Sequence, residues 1–356
     1  DHFAREVESA LTAMQAAGLL PAELPLDRIS VEPPRDPSHG QLATNAALVL
    51  AKPARTKPMA LAEPLAERLR QVDGVRAVAV AEPGFVNIRV DDALLHRVLR
   101  AALRDGDRFG LVDIGRGEKV NVEYCSANPT GPLHVGHGRG TVYGDALASL
   151  LAAVGHAVTR EYYVNDGGAQ IEILARSVHH RYRQVLGDDP GPLPEGWYPG
   201  DYLVPVAQEL ARRDGDRWLA AAESDWLAPI GDFAKASMLA LIKDDLAALK
   251  VRHDVFTSEA ALLAAGAVDR CIRELEAQDL VYTGTLEPPK GKPIEDWEPR
   301  PQRLFRATRF GDDTDRPLQR STGAWTYFAN DIANHFDKYR RGYTEMIDVW
   351  GADHGG

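Results

Sequence analysis

The sequence predicts an α/β protein in which a small α+β domain precedes a larger domain built on a parallel sheet with insertions. Residues 1–108 combine helical periodicity with a pair of β-branched segments. Residues 119–164 run in the order strand, helix, strand, which gives a parallel sheet with a right-handed crossover. A Rossmann-like sheet is therefore expected within the second domain, which covers residues 109–356.

The expected N-terminal domain opens on an amphipathic helix whose apolar side chains recur on one face. Its later strands are separated by a Pro-Gly pair, which is typical of a turn. In chain order we expect helices at 2–18, 41–51 and 58–71, strands at 75–81 and 84–90, and a helix from Asp91 or Asp92 to about Arg104.

The second domain begins with an apolar strand at 119–124, followed by a turn-rich loop at 125–132. A helix from about Leu133 to Val154 and a strand at 156–164 complete the first crossover. Insertions are expected at about 167–249 and 284–322, and the sheet resumes with strands at 251–256 and 343–350. The crossover helix is expected to direct one set of side chains toward the core: Val142, Ala146, Leu147, Leu150, Leu151 and Val154.

The net charge, the apolar segments and the cysteine spacing exclude some classes of function. The 356 residues carry 41 Lys and Arg against 52 Asp and Glu, a net charge of −11, so any nucleic-acid contact must use local basic patches. No apolar run is long enough to span a membrane, and the N-terminus does not resemble a secretory signal. Cys125 and Cys271 form no CxxC pair, which disfavours structural zinc and fits a reducing cytoplasm.

The segment VEYCSANPTGPLHVGHGRG, residues 122–140, is where chemistry is expected. Its loop leaves the carboxyl end of a strand and enters a helix N-terminus, a combination that favours phosphate binding. His134 and His137 share one face of the first helical turn, and Gly136 between them leaves room for a flat ring. Imidazoles there can donate hydrogen bonds to a phosphoryl transition state. The same spacing also fits a metal pair, with Asp145 and His156 as distant further ligands, or a purely structural pair.

Several ordered segments resemble a known family. The segment SANPTGPLHVGH, residues 126–137, closely resembles the ATP-binding HIGH segment of class I aminoacyl-tRNA synthetases, in the form found in arginyl-tRNA synthetases. Residues 37–52 and 82–90 resemble that family's additional N-terminal domain. Residues 161–171, 323–335 and 348–354 resemble its catalytic domain, so the resemblance covers essentially the whole chain.

The resemblance implies an enzyme that ligates L-arginine to tRNA(Arg) and uses ATP with Mg²⁺. It also implies a cytoplasmic monomer without structural zinc. It assigns catalysis to His134 and His137 and implies that the domain at 1–108 contacts tRNA. The ATP-binding residues it implies are Asn128, Thr130, His134, Gly136 and His137. The arginine-binding residues it implies are Glu123, Asn128, Tyr327, Asp331 and His354.

Electrostatics adds an expectation about the arginine site. A planar guanidinium matches fixed carboxylates, so Glu123 and Asp331 in one empty pocket would repel each other and raise one pKa. Arginine binding would then weaken at acid pH, and lysine would be rejected because it cannot bind both acids bidentately.

The chain departs from the family in length. It ends at Gly356 with neither the second, lysine-containing ATP loop nor an anticodon-binding domain, so we expect an incomplete form that charges tRNA poorly by itself. Two other interpretations stay open: another nucleotidyltransferase with an H-x-G-H segment, and a non-catalytic tRNA-binding relative. Amino-acid-dependent pyrophosphate exchange would separate them.

Overall fold

The computed structural model describes residues 2–21, 26–286 and 299–351. The chain divides into two compact units, Asp1–Gly110 and Leu111–Gly356. Within the described ranges, no helix has both the length and the apolar character needed to cross a membrane.

The first unit is a four-stranded antiparallel sheet with helices packed against it. The strand order is β1-β2-β4-β3, and the core joins side chains of the helices and strands, among them Val7, Leu50, Leu65 and Ile88. Its elements are α1 (His2–Ala16), β1 (Val31–Glu32), β2 (Leu42–Thr44), α2 (Ala46–Ala51), α3 (Pro58–Leu69), β3 (Val75–Ala81), β4 (Phe85–Val90) and α4 (Asp92–Asp105).

The antiparallel pairing of β3 with β4 confirms the predicted pair of strands. The predicted helix at 41–51 is wrong in its first part, because Leu42–Thr44 pairs with β4 as a strand. The helix starts only at Ala46, whose backbone N–H donates to the Thr44 hydroxyl at 3.2 Å. Pairing with a neighbouring strand overrides the local helical pattern here.

The second unit contains two sheets and a set of inserted helices. Its elements are β5 (Lys119–Glu123), α5 (Val135–Ala153), β6 (Ala157–Val164), α6 (Ala169–Val185), α7 (Leu203–Asp214), α8 (Glu223–Ala248), β7 (Val255–Ser258), α9 (Glu259–Ala264), α10 (Ala267–Ala277), β8 (Val281–Gly284), β9 (Gln302–Phe305), β10 (Arg316–Pro317), α11 (Tyr327–Arg340) and β11 (Glu345–Asp348).

The main sheet is parallel throughout, with strand order β11-β5-β6-β7, which confirms the predicted Rossmann-like class. From β5 the chain adds β6 and β7 on one side and later β11 on the other. The order therefore reverses between β5 and β11, the kind of position at which open α/β sheets bind ligands. The carboxyl ends of β5 and β11 are Glu123 and Asp348.

Two insertions interrupt the sheet. Helices α6, α7 and α8 pack around an apolar core of their own that includes Tyr182, Trp218 and Trp226. Strands β8, β9 and β10 form a small antiparallel sheet. Part of the predicted second insertion, residues 287–298, lies outside the described residues.

The crossover helix α5 buries a different face from the one predicted. Val142 is 56% exposed and Leu150 is 66% exposed, so their assignment to the core is wrong. The buried face is made of small residues, Thr141, Gly144 and Ala148. A Cβ at Gly144 would lie 2.4 Å from side-chain atoms of Tyr124, directly after β5, so the small face lets the helix approach the sheet closely.

Two glycines of α5 give a matched stability test. We expect Gly144→Ala to destabilise the protein by about 1–3 kcal/mol, since its methyl group would overlap the buried Tyr124 ring. Nothing lies within 4 Å of a Cβ at Gly140, so Gly140→Ala should be neutral or stabilise by up to about 1 kcal/mol. Urea unfolding of both variants measures the difference, and equal stabilities would contradict this account of the helix packing.

Candidate active site

The loop after β5 is held in a constrained conformation. Cys125 and Ser126 have positive φ angles of 70° and 39°, which side-chain-bearing residues rarely adopt. Two hydrogen bonds from the neighbouring strand β6 stabilise this loop conformation. The Tyr162 hydroxyl donates to the Ala127 carbonyl at 2.7 Å, and the Tyr163 backbone N–H donates to the Ser126 hydroxyl at 3.0 Å. These bonds fix the path of the chain into the nucleotide loop, which we define as residues 128–132.

His134 and His137 cap the N-terminus of α5 reciprocally. The His137 backbone N–H donates to Nδ1 of His134, and the His134 backbone N–H donates to Nδ1 of His137, both at 3.3 Å. The two rings stack with centroids 3.6 Å apart and planes 18° from parallel. This is the arrangement of a capping box, built from two histidines.

The cap determines which ring nitrogens can act on a substrate. Because each Nδ1 accepts a backbone N–H, each neutral ring carries its proton on Nε2. Burial, and then the proximity of His134, lowers the pKa of His137, which favours its neutral form. The pair therefore presents two N–H donors at a helix N-terminus, which suits an anionic phosphate.

Gly136 leaves room for the capping imidazole of His134. A Cβ at Gly136 would lie 2.9 Å from Cε1 of His134 and 3.0 Å from its Nδ1. The sequence suggested that this glycine leaves room for a substrate ring. The structure adds a nearer reason, because any larger residue would displace the capping imidazole.

A cavity of about 340 Å³ opens beside the capping histidines. It brings together Asn128, Thr130, His134 and His137 of the predicted ATP site. Glu123, Tyr327 and Asp331 are not among its lining residues. The full lining consists of Asn128, Thr130, Gly131, Pro132, His134, His137, Tyr198 and Tyr202.

The two tyrosines come from the first insertion and were missed by sequence reasoning. The Tyr202 hydroxyl donates to the Thr130 carbonyl at 2.9 Å, and a Cβ at Gly131 would lie 3.0 Å from that hydroxyl. Their spacing, WYPGDY over residues 197–202, places two aromatic rings around a Pro-Gly turn. That pattern was the available signal, but it does not indicate which loop the rings contact.

Asn128 is exposed and its Nδ2 donates to Oε1 of Gln170, at the start of α6, at 3.0 Å. Its backbone carbonyl accepts from the Thr130 N–H at 2.8 Å and tightens the nucleotide loop. Gln170 is a second polar group that the sequence did not single out.

A buried lysine joins the ends of β5 and β11. Lys338 of α11 is fully buried, and its Nζ donates to Oε2 of Glu123 at 2.6 Å and to Oδ1 of Asp348 at 2.9 Å. Burial alone would lower the pKa of Lys338, but the two carboxylates outweigh it and the pKa is raised. Ser126 and Asn334 donate to the oxygens of Glu123 at 3.1 and 3.3 Å.

This pairing corrects the expected electrostatics. Glu123 does not carry an uncompensated charge, because Lys338 forms an ion pair with it. This ion pair would reduce the predicted repulsion between Glu123 and Asp331, and a pocket that both acids share stays a prediction. Sequence spacing could not reveal the partner, since Lys338 is 215 residues from Glu123.

Two further predicted arginine-binding residues, Tyr327 and Asp331, lie on α11. Tyr327 is 45% exposed, with the Arg320 guanidinium 5.5 Å from its ring centroid. Asp331 is exposed and lies one turn later on α11. Burial, then the nearby Glu259, and then the charges of Asp331 and Glu123 raise the pKa of the Tyr163 hydroxyl. His354 lies outside the described residues.

The metal interpretation of the histidine pair gains no support from the geometry, since both Nδ1 atoms accept backbone N–H groups. In the described ranges, no three His, Cys, Asp or Glu side chains are grouped so that they could hold a metal ion. Cys125 and Cys271 are both free thiols.

Comparison with known proteins identifies the family. Residues 1–90 match the family described as the arginyl tRNA synthetase N terminal domain, and residues 99–190 match the catalytic domain of class I (R) tRNA synthetases. The arginine–tRNA ligase of Rhodospirillum rubrum is 58% identical over 98% of this chain and 60% of its own length. That of Parvibaculum lavamentivorans is 54% identical over 99% of this chain and 61% of its own length.

A solved structure agrees with these relatives. The arginyl-tRNA synthetase of Thermus thermophilus superposes with a TM-score of 0.61 and 25% identity, covering 94% of this chain and 52% of that one. The chain spans about three fifths of the length of the curated relatives it matches. With two matching domains, a Rossmann-like sheet and a histidine-capped nucleotide loop, the chain belongs to the arginyl-tRNA synthetase family.

Proposed function

We propose that the protein ligates L-arginine to tRNA(Arg) using ATP, as a cytoplasmic monomer. The observation that carries the proposal is the reciprocal histidine cap, which presents two Nε2–H donors beside the nucleotide loop. The adjoining strand β5 ends at Glu123, so a phosphate-binding element and a carboxylate lie at the two ends of one loop. The free thiols agree with a reducing compartment.

In the first step the arginine carboxylate attacks the α-phosphorus of ATP and pyrophosphate leaves. Negative charge grows on the phosphoryl oxygens, and the Nε2–H groups of His134 and His137 would stabilise it together with the helix N-terminus. Asn128 would orient the amino-acid end of the substrate, and Thr130 the nucleotide. The Mg²⁺ that accompanies ATP would neutralise part of the negative charge on the phosphate oxygens.

In the second step the 2′-hydroxyl of the terminal adenosine of tRNA takes the arginyl group and AMP leaves. Tyr327 and Asp331 on α11 would recognise the arginine side chain, and His354 the amino-acid end. We propose that the unit Asp1–Gly110 contacts tRNA. Its closely spaced basic residues Lys52, Arg55 and Lys57 supply a local patch for phosphate groups.

Arginine-dependent exchange of pyrophosphate into ATP by the full-length protein, with tRNA(Arg) present, tests the activity. Exchange with arginine and not with the other amino acids is expected. Exchange with a different amino acid would favour the alternative nucleotidyltransferase. Tight tRNA binding without exchange would favour the non-catalytic relative.

The histidines should act on the transition state and not on arginine binding. We expect His134→Asn and His137→Asn to lower the exchange rate roughly 100-fold or more, because a developing charge loses a donor. Asparagine can still accept a backbone N–H at a helix start, so the cap is partly retained. Calorimetric arginine affinity should stay near the wild-type value; a parallel fall in that affinity would contradict the assigned role.

Asp331 should contribute to recognition of the arginine side chain. We expect Asp331→Asn to weaken arginine binding at least about 10-fold, because one charged hydrogen bond to the guanidinium is lost. The matched control is Asp337→Asn on the same helix, whose carboxylate binds Arg341 at 2.9 Å and should leave arginine affinity unchanged. Lysine should bind far more weakly than arginine to the wild-type protein, and equal effects of the two substitutions would refute the assignment.

A further inference from the structure

A second cavity lies between helices α10 and α11, and we call it the α10–α11 cleft. It has a volume of about 410 Å³ and shares no lining residue with the cavity beside the capping histidines. Small-molecule pockets typically measure about 300–1,000 Å³, so the cleft can hold more than a single ion. Its lining consists of Ala267, Arg270, Ala333, Phe336, Asp337 and Arg340.

The floor of the cleft is built where the two helices pack together. Val268 and Ile272 of α10 join Ala329 and Ala333 of α11 in one apolar core. The floor residues Ala267 and Ala333 are 9% and 2% exposed. Because their side chains end at Cβ, they leave space above them, and the longer side chains of both helices form the walls.

Two arginines in the walls have no acidic partner. Arg270 and Arg340 are both exposed. Nη1 of Arg270 donates to the Ala265 carbonyl, which leaves the other N–H groups of that guanidinium for a ligand. The guanidinium carbon of Arg340 lies 6.0 Å from the ring centroid of Phe336. Among the described residues, neither guanidinium forms an ion pair with a carboxylate.

Asp337 is the single acid in the lining of the cleft. Its Oδ2 lies 2.9 Å from Nε of Arg341, a cation that also binds Glu161 at 2.8 Å. Even when the charge of Asp337 is counted in full, the lining carries two positive charges and one negative charge. The cleft therefore attracts an anion.

Uncompensated cations matter in this protein because its net charge is −11. Most of its surface repels the phosphates of a nucleic acid, and only local basic groups can hold them. Arginines of the second insertion are already paired: Arg306 and Arg309 with Asp279, and Arg316 with Asp312. Two guanidiniums that face one cavity without such partners are suited to an external anion.

The chemistry of the cleft favours a nucleotide over a simple carboxylate. A guanidinium presents a planar fork of N–H groups that matches phosphate oxygens. Phe336 adds an aromatic ring, and the ring of Tyr339, which is 61% exposed, lies 6.5 Å from it between centroids. Basic groups interleaved with aromatic rings are typical of sites that bind a nucleic-acid backbone and stack its bases. A carboxylate would use the arginines but would give the rings no planar partner.

We propose that the α10–α11 cleft binds a nucleotide of the RNA substrate, with Arg270 and Arg340 on its phosphate and the Phe336 ring against its base. The proposal rests on the proposed function, which names tRNA(Arg) as that RNA. Arg340 follows Asp331 by about two and a half helical turns, so the cleft lies on the opposite side of α11 from Asp331. This RNA contact is therefore separate from recognition of the arginine side chain.

The test measures the affinity of the full-length protein for tRNA(Arg) by fluorescence anisotropy at several salt concentrations. We expect Arg270→Gln and Arg340→Gln each to weaken binding roughly 10-fold, because each removes a charged hydrogen bond to phosphate. The slope of log affinity against log salt should become shallower by about 1 in each variant. Arg340→Lys keeps the charge and should retain the wild-type slope.

The matched control is Arg273→Gln, since Arg273 is exposed on α10 one turn after Arg270 and does not line the cleft. It removes the same charge and should leave tRNA affinity and the salt slope near the wild-type values. Phe336→Leu should weaken tRNA binding without changing the slope, because it removes a ring and no charge. Equal effects of Arg273→Gln and Arg340→Gln would overturn the cleft in favour of diffuse attraction.

The Arg270→Gln/Arg340→Gln double variant separates this proposal from the proposed function. Its arginine affinity should stay at the wild-type value, and a parallel fall would indicate a disturbed α11 and overturn the proposal. Unchanged tRNA affinity would also overturn it and leave the function intact. If polyglutamate or inorganic phosphate binding were lost instead, the cleft would belong to an acidic peptide or a free phosphate. A lower unfolding temperature with unchanged tRNA affinity would show that another part of the full-length protein fills the cleft. A wild-type protein that binds no tRNA(Arg) would refute the function itself.

Discussion

The catalytic unit depends on one buried ammonium group, that of Lys338. It binds the last residues of β5 and β11, Glu123 and Asp348, and so holds together the two strands at which the sheet order reverses. Two carboxylates at that edge would otherwise repel each other in a poorly solvated place. Removing one partner of such a buried pair typically costs roughly 3–5 kcal/mol, so a substitution that changes the charges at this sheet edge also lowers the stability of the fold.

The buried acids Glu123 and Glu259 differ in whether Lys338 compensates their charge. Glu123, compensated from inside the protein, orients Ser126 and Asn334 around it. Glu259 is also buried, but among the described residues no basic side chain pairs with it. At the other end of the loop, His134 and His137 cap the N-terminus of α5 with their imidazole rings.

The sequence was sufficient for elements whose signals are local. The order strand, helix, strand over residues 119–164 correctly predicted a parallel sheet. The Pro-Gly turn at 83–84 correctly predicted the antiparallel pairing of β3 with β4. Prediction from the sequence failed where packing against other segments determines the local structure. Leu42–Thr44 became a strand because β4 offered an edge, and α5 buried small residues because Tyr124 fills the space beneath Gly144. The lysine beside Glu123 could not be found either, since no spacing rule links residues that distant in the chain.

The hydroxyl of Tyr202 connects the first insertion to the nucleotide loop, which follows strand β5 of the main sheet. Through its bond to the Thr130 carbonyl, the helical module α6–α8 supports the backbone that frames the cavity. Exchanging that module for one from a distant homologue would thus alter the nucleotide loop unless the donor module carried an equivalent phenol. Grafts, deletions and length changes in the insertion are constrained by this one anchor, even where its helices touch no reacting atom.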